Sequence, residues 1–362
     1  MKSRIQWIDI ARGIAILAVI VGHTLGPYTG GFLGSLIFAF HMPIFFILSG
    51  YLYHQRPLQR ELKNGSLNLL VPYAITSILV LLISIVALQL PANPLIMGYF
   101  TSTKAGVVSI LYGAGSAVFA PWQLTVQPLG ALWFLLSMFV AMQLFNGGMS
   151  LAQRTHYPVA VRLSWVVGLT VLGGRLGQVI YLPWALNAAL FAQSFLYAGF
   201  LIKQYHILDW LKSWHYIGFI LLWVLSARSG YFNLNVPSSP NLLLSFGGGI
   251  AGSLCIFRVS TWLARFDGRP GLKLLEQYGR LSLIILCFHL IDLNVIGIEG
   301  HLYHRVDLLM GAGGATVVTI LYRIGFVTVA MFLVPKVPVI RSCYLMRQYP
   351  FTINLRRKMV KD

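Results

Sequence analysis

Long apolar stretches separated by short polar segments make up most of the chain. Ten of them have the roughly 17 to 25 residues that a helix needs to cross the hydrocarbon core of a bilayer. They cover residues 5–27, 33–53, 68–90, 130–147, 163–182, 185–202, 214–231, 241–262, 281–298 and 309–334. An even number of spans returns the chain to its starting side. The pattern therefore predicts an all-α membrane protein, a bundle of about ten transmembrane helices with both termini on one side.

Residues 91–129 are also moderately apolar, but Gly and Pro interrupt them. A span at 105–121 would invert every later loop. We therefore expect an external cap or a re-entrant segment here.

Lys and Arg are distributed asymmetrically between the predicted loops. If the N-terminus is cytoplasmic, the cytoplasmic segments hold 20 of them and the outer segments hold two, Lys104 and Arg305. Cytoplasmic loops of membrane proteins carry this excess, so we expect both termini in the cytoplasm. The division that follows is a transmembrane domain at 1–340 and a basic cytoplasmic tail at 341–362.

Composition excludes several other classes of protein. The chain is 57% hydrophobic and 10% charged, which is far from a soluble globular protein. Its net charge of +18 lies mainly in loops on one side, so no nucleic-acid partner is expected. Cys255, Cys287 and Cys343 show no paired spacing, which gives no indication of a metal site or a disulfide framework.

The first apolar stretch, WIDIARGIAILAVIVGHTL, contains Asp9, Arg12 and His23. Eleven helical steps of about 100° bring His23 to within roughly 20° of Arg12, about 16 Å further along the axis. Asp9 lies one turn before Arg12 and is expected to pair with it. Alternatively, Arg12 reaches the headgroups and His23 caps a carbonyl. Because buried polar groups are costly in a span, three on one stripe favour a functional site.

The segment that contains these three residues, DIARGIAILAVIVGH, resembles the first helix of the acyltransferase-3 family of integral membrane O-acyltransferases. FAFHMPIFFILSGYLY at 38–53 resembles the second helix of that family, especially its sugar O-acetylase branch. Later helices of the family are resembled, in order, by LLVPY at 69–73, GALWFLLSMF at 130–139, LPWALNAALFAQSFLYAGFLIK at 182–203 and GRLSLIILCFHL at 279–290. The resemblance thus covers nearly the whole span region.

The resemblance implies a stand-alone enzyme of a bacterial-type inner (cytoplasmic) membrane, with ten helices. It implies transfer of an acetyl group from cytoplasmic acetyl-CoA to a hydroxyl of an extracytoplasmic sugar, polysaccharide or lipid-linked cell-envelope glycan. The alternative is a secondary transporter or flippase. Since the polar residues cluster on the first helices without mirrored counterparts in the second half, the transporter is the less favoured interpretation.

Within this interpretation, Arg12 is the candidate to hold the phosphates of coenzyme A. His23 is the candidate base for the acceptor hydroxyl, since an imidazole titrates near neutrality. A covalent role for His23 is the open alternative. His41, beside Pro43, is a further catalytic candidate or else a structural histidine.

Other candidates are divided between the two ends of the bundle. Tyr51 and the basic residues Arg56, Arg60 and Lys63 lie near the Arg12 end, where they suit the donor, although positive-inside charge alone also explains the basic ones. For the acceptor, the candidates are Arg175, Trp133, His289 and Asp292. His289 and Asp292 are one turn apart, a spacing that allows a carboxylate-oriented imidazole, and such a pair would be an alternative to His23 as the proton acceptor.

Overall fold

A computed structural model describes residues 5–116 and 126–345, and these residues are overwhelmingly helical. The α-helices are α1 (Gln6–Thr24), α2 (Phe32–Phe40), α3 (Pro43–Tyr51), α4 (Leu58–Gly65), α5 (Val71–Gln89), α6 (Thr103–Tyr112), α7 (Trp133–Ala152), α8 (Pro158–Leu176), α9 (Leu186–Phe191), α10 (Gln193–Gln204), α11 (Ile207–Trp210), α12 (Ser213–Ser229), α13 (Leu242–Leu263), α14 (Pro270–Arg280), α15 (Ser282–Val295), α16 (Ile298–Leu333) and α17 (Pro338–Tyr344).

These helices confirm a multi-pass membrane protein. Within the described residues, seven helical stretches are long and apolar enough to cross a bilayer, with α2–α3 and α4–α5 each counted as one stretch. The number is nine if the bent pairs α9–α10 and α14–α15 also count as one span each. The remaining predicted span, 214–231, overlaps α12, whose 17 residues are slightly shorter than that length. The total of ten and the cytoplasmic placement of the termini stay predictions.

Two predicted regions are only partly described. In 91–129, α6 has ten residues, too few to span a bilayer, while 117–125 lie outside the described residues. Whether this region is a cap or a re-entrant segment stays open. Most of the predicted tail, 346–362, also lies outside them, so the domain boundary at 340 stays a prediction.

The second predicted span is broken where it reaches the centre of the bundle. α2 ends at Phe40 and α3 begins at Pro43. Proline is favoured at the first position of a helix because its missing N–H has no partner to lose there. The break leaves His41 and Met42 between two helical segments, both buried.

α1 lies in the middle of the bundle and packs against α13, α14, α15 and α16. The approach of α14 is so close that a Cβ atom at Gly279 would collide with the Asp9 carbonyl oxygen. Glycine at this position therefore permits the close contact of α14 with α1 at Asp9, which is buried. The last long helix, α16, is interrupted at Gly311, whose φ of +71° is left-handed.

Candidate active site

Three histidines lie close together: His23 on α1, His41 in the break between α2 and α3, and His289 on α15. The ring centroid of His23 lies 6.2 Å from that of His41 and 5.9 Å from that of His289. His41 and His289 are buried, whereas His23 is partly exposed. The sequence placed these residues on separate spans, and only the packing of α1 between the α2–α3 break and α15 brings them together.

The backbone orients one of these rings. His41 Nδ1 lies 3.1 Å from the Ile37 carbonyl oxygen, a geometry in which the ring nitrogen donates a hydrogen bond. In that tautomer Nε2 is left as an acceptor. In contrast, neither ring nitrogen of His289 has a hydrogen-bond partner among the described residues. A buried imidazole without hydrogen-bond partners is costly, and the described residues leave that cost uncompensated at His289.

His23 opens onto a cavity of about 200 Å³, which we call the His23 cavity. Its walls combine aromatic and polar side chains, among them Trp133, Tyr231, Ser116 and Asn235. Aromatic faces with a few fixed hydrogen-bonding groups are the usual lining of a specific small-molecule site. Trp133, a predicted acceptor residue, therefore does share a cavity with His23.

Hydrogen bonds hold the polar wall of the His23 cavity in place. The Tyr181 hydroxyl donates to Asn235 Oδ1 at 2.6 Å, and Asn235 Nδ2 donates to Ser116 Oγ at 2.7 Å. Tyr231 lines the same cavity, and its hydroxyl can donate a further hydrogen bond there. Sequence reasoning missed this wall, although the polar loop FNLNVPSSPN after α12 was a signal.

Arg12 lines a second cavity of about 370 Å³, the Arg12 cavity. Its polar members include Arg12, Ser49 and Asn68, and most of the remaining wall is apolar. Because Arg12 and His23 lie on the same face of α1, the two cavities follow one another along that helix. The polar stripe predicted from the sequence thus faces two successive cavities.

Asp9 has an ionic contact that the sequence did not predict. Arg280 Nε donates to Asp9 Oδ2 at 3.0 Å, and Arg280 Nη2 donates to Glu276 Oε2 at 3.0 Å. Asp9 thus ties α1 to α14 through Arg280. The reason is tertiary, since the close approach at Gly279 brings a cation from another helix to the carboxylate.

His289 and Asp292 do not form the predicted pair, because neither ring nitrogen of His289 has a hydrogen-bond partner among the described residues. Asp292 Oδ1 accepts from the Tyr322 hydroxyl at 2.9 Å, and Asp292 Oδ2 lies 3.3 Å from Arg323 Nε. Both partners come from α16. An adjacent guanidinium is a stronger partner for a buried carboxylate than a neutral imidazole, so Asp292 binds across helices instead of one turn along its own.

Arg323 is the main residue that sequence reasoning missed. Its side chain is only 2% exposed and also lies 3.2 Å from Glu299 Oε2. On the side facing α1, Arg323 Nη1 donates to the Thr24 hydroxyl at 3.2 Å and to the His23 carbonyl oxygen at 3.4 Å. Arg323 thus fixes the end of α1 that carries His23. The signal was an arginine inside the predicted span 309–334.

The remaining predicted residues lie elsewhere. Arg56 binds His54 and Glu61, while Arg60 and Lys63 are exposed on the same segment. Tyr51 packs against Trp7, with Lys203 above its ring. Arg175 lines a separate, largely apolar cavity between α8, α10 and α13. In the described part of the chain, no group of three His, Cys, Asp or Glu has an arrangement suited to a metal ion.

Comparison with known families gives one match that covers nearly the whole chain. Residues 5–334 match the acyltransferase-3 model, described as an acyltransferase domain. Searches of curated proteins and of solved structures give no match. The matched region includes both cavities and all three clustered histidines.

Proposed function

The chain belongs to the acyltransferase-3 family, and on this premise we propose that it moves an acetyl group from cytoplasmic acetyl-CoA to a hydroxyl of an extracytoplasmic sugar or cell-envelope glycan. The observation that carries the proposal is the pair of cavities along α1, one lined by Arg12 and the other by His23. The family supports acyl transfer in a membrane. The two cavities support separate entry of donor and acceptor.

On the donor side, Arg12 is proposed to bind a phosphate of coenzyme A. A guanidinium forms strong charge-assisted hydrogen bonds to phosphate oxygens. The exposed Arg60 and Lys63 are proposed to attract the same polyanion to this end of the bundle. The extended arm of coenzyme A is about as long as the roughly 16 Å between Arg12 and His23, so its thioester reaches towards the histidines.

On the acceptor side, the His23 cavity has features that suit a sugar. Trp133 and Tyr231 offer flat apolar faces, and Ser116 and Asn235 offer hydrogen-bonding groups for hydroxyls. His23 is the proposed general base. As the hydroxyl oxygen attacks the thioester carbonyl carbon, His23 takes the hydroxyl proton; the carbon–sulfur bond breaks, and the proton passes to the departing thiolate. An acyl-histidine intermediate is the alternative route.

His41 and His289 are proposed to keep the His23 ring in a productive orientation, since their ring centroids lie 6.2 Å and 5.9 Å from that of His23. Arg175 lies outside the His23 cavity. Its proposed role is contact with a more distant part of the acceptor.

The proposal is tested with membrane vesicles that contain the protein. Acetyl-CoA labelled on the acetyl group is supplied on the cytoplasmic face, and envelope glycans are then analysed by mass spectrometry. We expect labelled glycan, heavier by one acetyl group per modified unit, only in vesicles with the protein. Label that crosses the membrane without becoming attached to glycan would instead favour the transporter alternative.

Replacing Arg12 with alanine is expected to weaken coenzyme A binding. Hydrogen bonds to charged groups contribute about 1.5–3 kcal/mol, so the dissociation constant should rise on the order of 10- to 100-fold. Binding is measured by calorimetry on the purified protein. Arg258→Ala is the matched control, because Arg258 stacks on Tyr216 and does not line the Arg12 cavity. Unchanged donor affinity in Arg12→Ala would refute the phosphate role.

A further inference from the structure

Four segments of the chain contribute to both the His23 cavity and the Arg12 cavity. Each of these segments has some residues that line the Arg12 cavity and neighbouring residues that line the His23 cavity. On α1 these are Arg12, Ile16 and Val19 for the Arg12 cavity and His23 for the His23 cavity; on α2–α3 they are Ser49 and Phe45, then His41 and Phe38; around the start of α7 they are Leu135 and Phe134, then Trp133 and Ala131; and on α15 they are Leu283 and Leu286, then Leu293. The cavities are therefore stacked end to end within one bundle.

One residue lines both cavities. Among the described residues, Met42 alone lines the His23 cavity and the Arg12 cavity. It is 4% exposed and lies in the break between α2 and α3, next to His41. A methionine has three rotatable bonds and no branch, so it fills an irregular gap and changes conformation at little cost.

We propose that the Met42 side chain is the wall between the two cavities and limits the size of the acyl group that the enzyme transfers. This inference rests on the proposed function. The donor would be a thioester of a short acyl group, whose small end passes Met42 to reach His23. A longer acyl chain would stay in the Arg12 cavity, below the wall.

The same wall would protect the thioester while no acceptor is bound. Polar groups make up a larger share of the lining in the His23 cavity than in the Arg12 cavity, so water is held more readily in the His23 cavity. If water reached the thioester carbonyl carbon, the carbon–oxygen bond would form, the carbon–sulfur bond would break, and the free acid and the thiol of coenzyme A would be released. Removing the wall should therefore increase both the accepted acyl size and this hydrolysis.

The test uses the purified full-length protein in lipid nanodiscs with acetyl-CoA and butanoyl-CoA. Release of the coenzyme A thiol is measured without any acceptor, and acyl transfer to glycan is measured in vesicles by mass. For Met42→Ala we expect the ratio of butanoyl to acetyl transfer to rise by about tenfold or more, as two accommodated methylenes permit. Thiol release without acceptor should rise by a similar factor.

Two variants serve as controls. Met42→Leu keeps the volume, so both quantities should stay near those of the unchanged protein. Met149 is a similarly buried methionine that lines neither cavity. Met149→Ala removes the same volume without opening the wall, so thiol release without acceptor should stay unchanged.

A narrowing variant keeps the proposal testable if Met42→Ala does not fold. Met42→Phe adds bulk, and the ratio of propanoyl to acetyl transfer should fall. Equal hydrolysis in Met42→Ala and Met149→Ala, or an unchanged acyl ratio in well-folded Met42→Ala, would overturn the proposed role of Met42. Failure of the unchanged protein to transfer acetyl from acetyl-CoA would instead overturn the proposed function.

Discussion

His23→Ala is expected to lower the rate of acetyl transfer by about 10²- to 10⁴-fold, the usual contribution of a positioned general base. The affinity for acetyl-CoA should remain close to that of the unchanged protein, because His23 lines the His23 cavity and the proposed phosphate-binding residue, Arg12, lines the other one. Transfer of label from acetyl-CoA to glycan gives the rate, and calorimetry gives the affinity. A loss in kcat without a loss in donor affinity identifies a group that acts in the chemical step.

The neighbouring histidines are the matched controls for this prediction. His41→Ala and His289→Ala remove rings that lie within 6.2 Å of His23 by centroid distance, yet leave the proposed base in place. We expect them to retain more activity than His23→Ala. If His289→Ala were the most damaging substitution, with His23→Ala nearly active, the base would have to be reassigned to His289.

Replacing Arg323 is expected to have the second large effect, a loss of stability of the folded protein. This guanidinium is buried between Asp292 and Glu299 and holds the His23 end of α1. Removing one partner of a buried ion pair leaves an uncompensated charge and costs about 3–5 kcal/mol. Arg323→Ala should therefore unfold at a clearly lower temperature, as measured by thermal denaturation of the detergent-solubilised protein.

Partial rescue would identify the cause of that instability. In the double variant Arg323→Met with Asp292→Asn, the charge opposite Arg323 is also removed, so part of the lost stability should return. Arg175→Ala is the control, because Arg175 is exposed on α8 and its removal leaves no buried carboxylate. A thermal shift as large in Arg175→Ala as in Arg323→Ala would contradict a specific role for the buried network.

The helices and the first-helix stripe were predictable because they depend on local pattern. An apolar run of sufficient length must form a helix in hydrocarbon, and eleven residues place Arg12 and His23 on one face whatever surrounds them. The breaks were harder to predict. Pro43 and Gly311 mark two of them, but the 77° bend between α14 and α15 carries no comparable signal.

Ionic partners were the least predictable feature. The sequence suggested pairs one turn apart on the same helix, Asp9 with Arg12 and His289 with Asp292. The structure adds Arg280 as a partner of Asp9, and it joins Asp292 to Arg323 and not to His289. These two cations lie 271 and 31 positions further along the chain than the carboxylates they bind. In a bundle, a buried carboxylate is most strongly stabilised by a cation on a facing helix, and spacing along one helix contains no information about that neighbour.

By itself, then, the sequence determined a helical membrane protein, its family, and one helix face with Arg12 and His23, because these depend on hydrophobic length, ordered motifs and helical period. The packing of distant helices is what brings His41 and His289 beside His23, places Arg323 at the end of α1 and makes Met42 a lining residue of two cavities. Each of these depends on how distant helices pack and where they break, which no local pattern specifies.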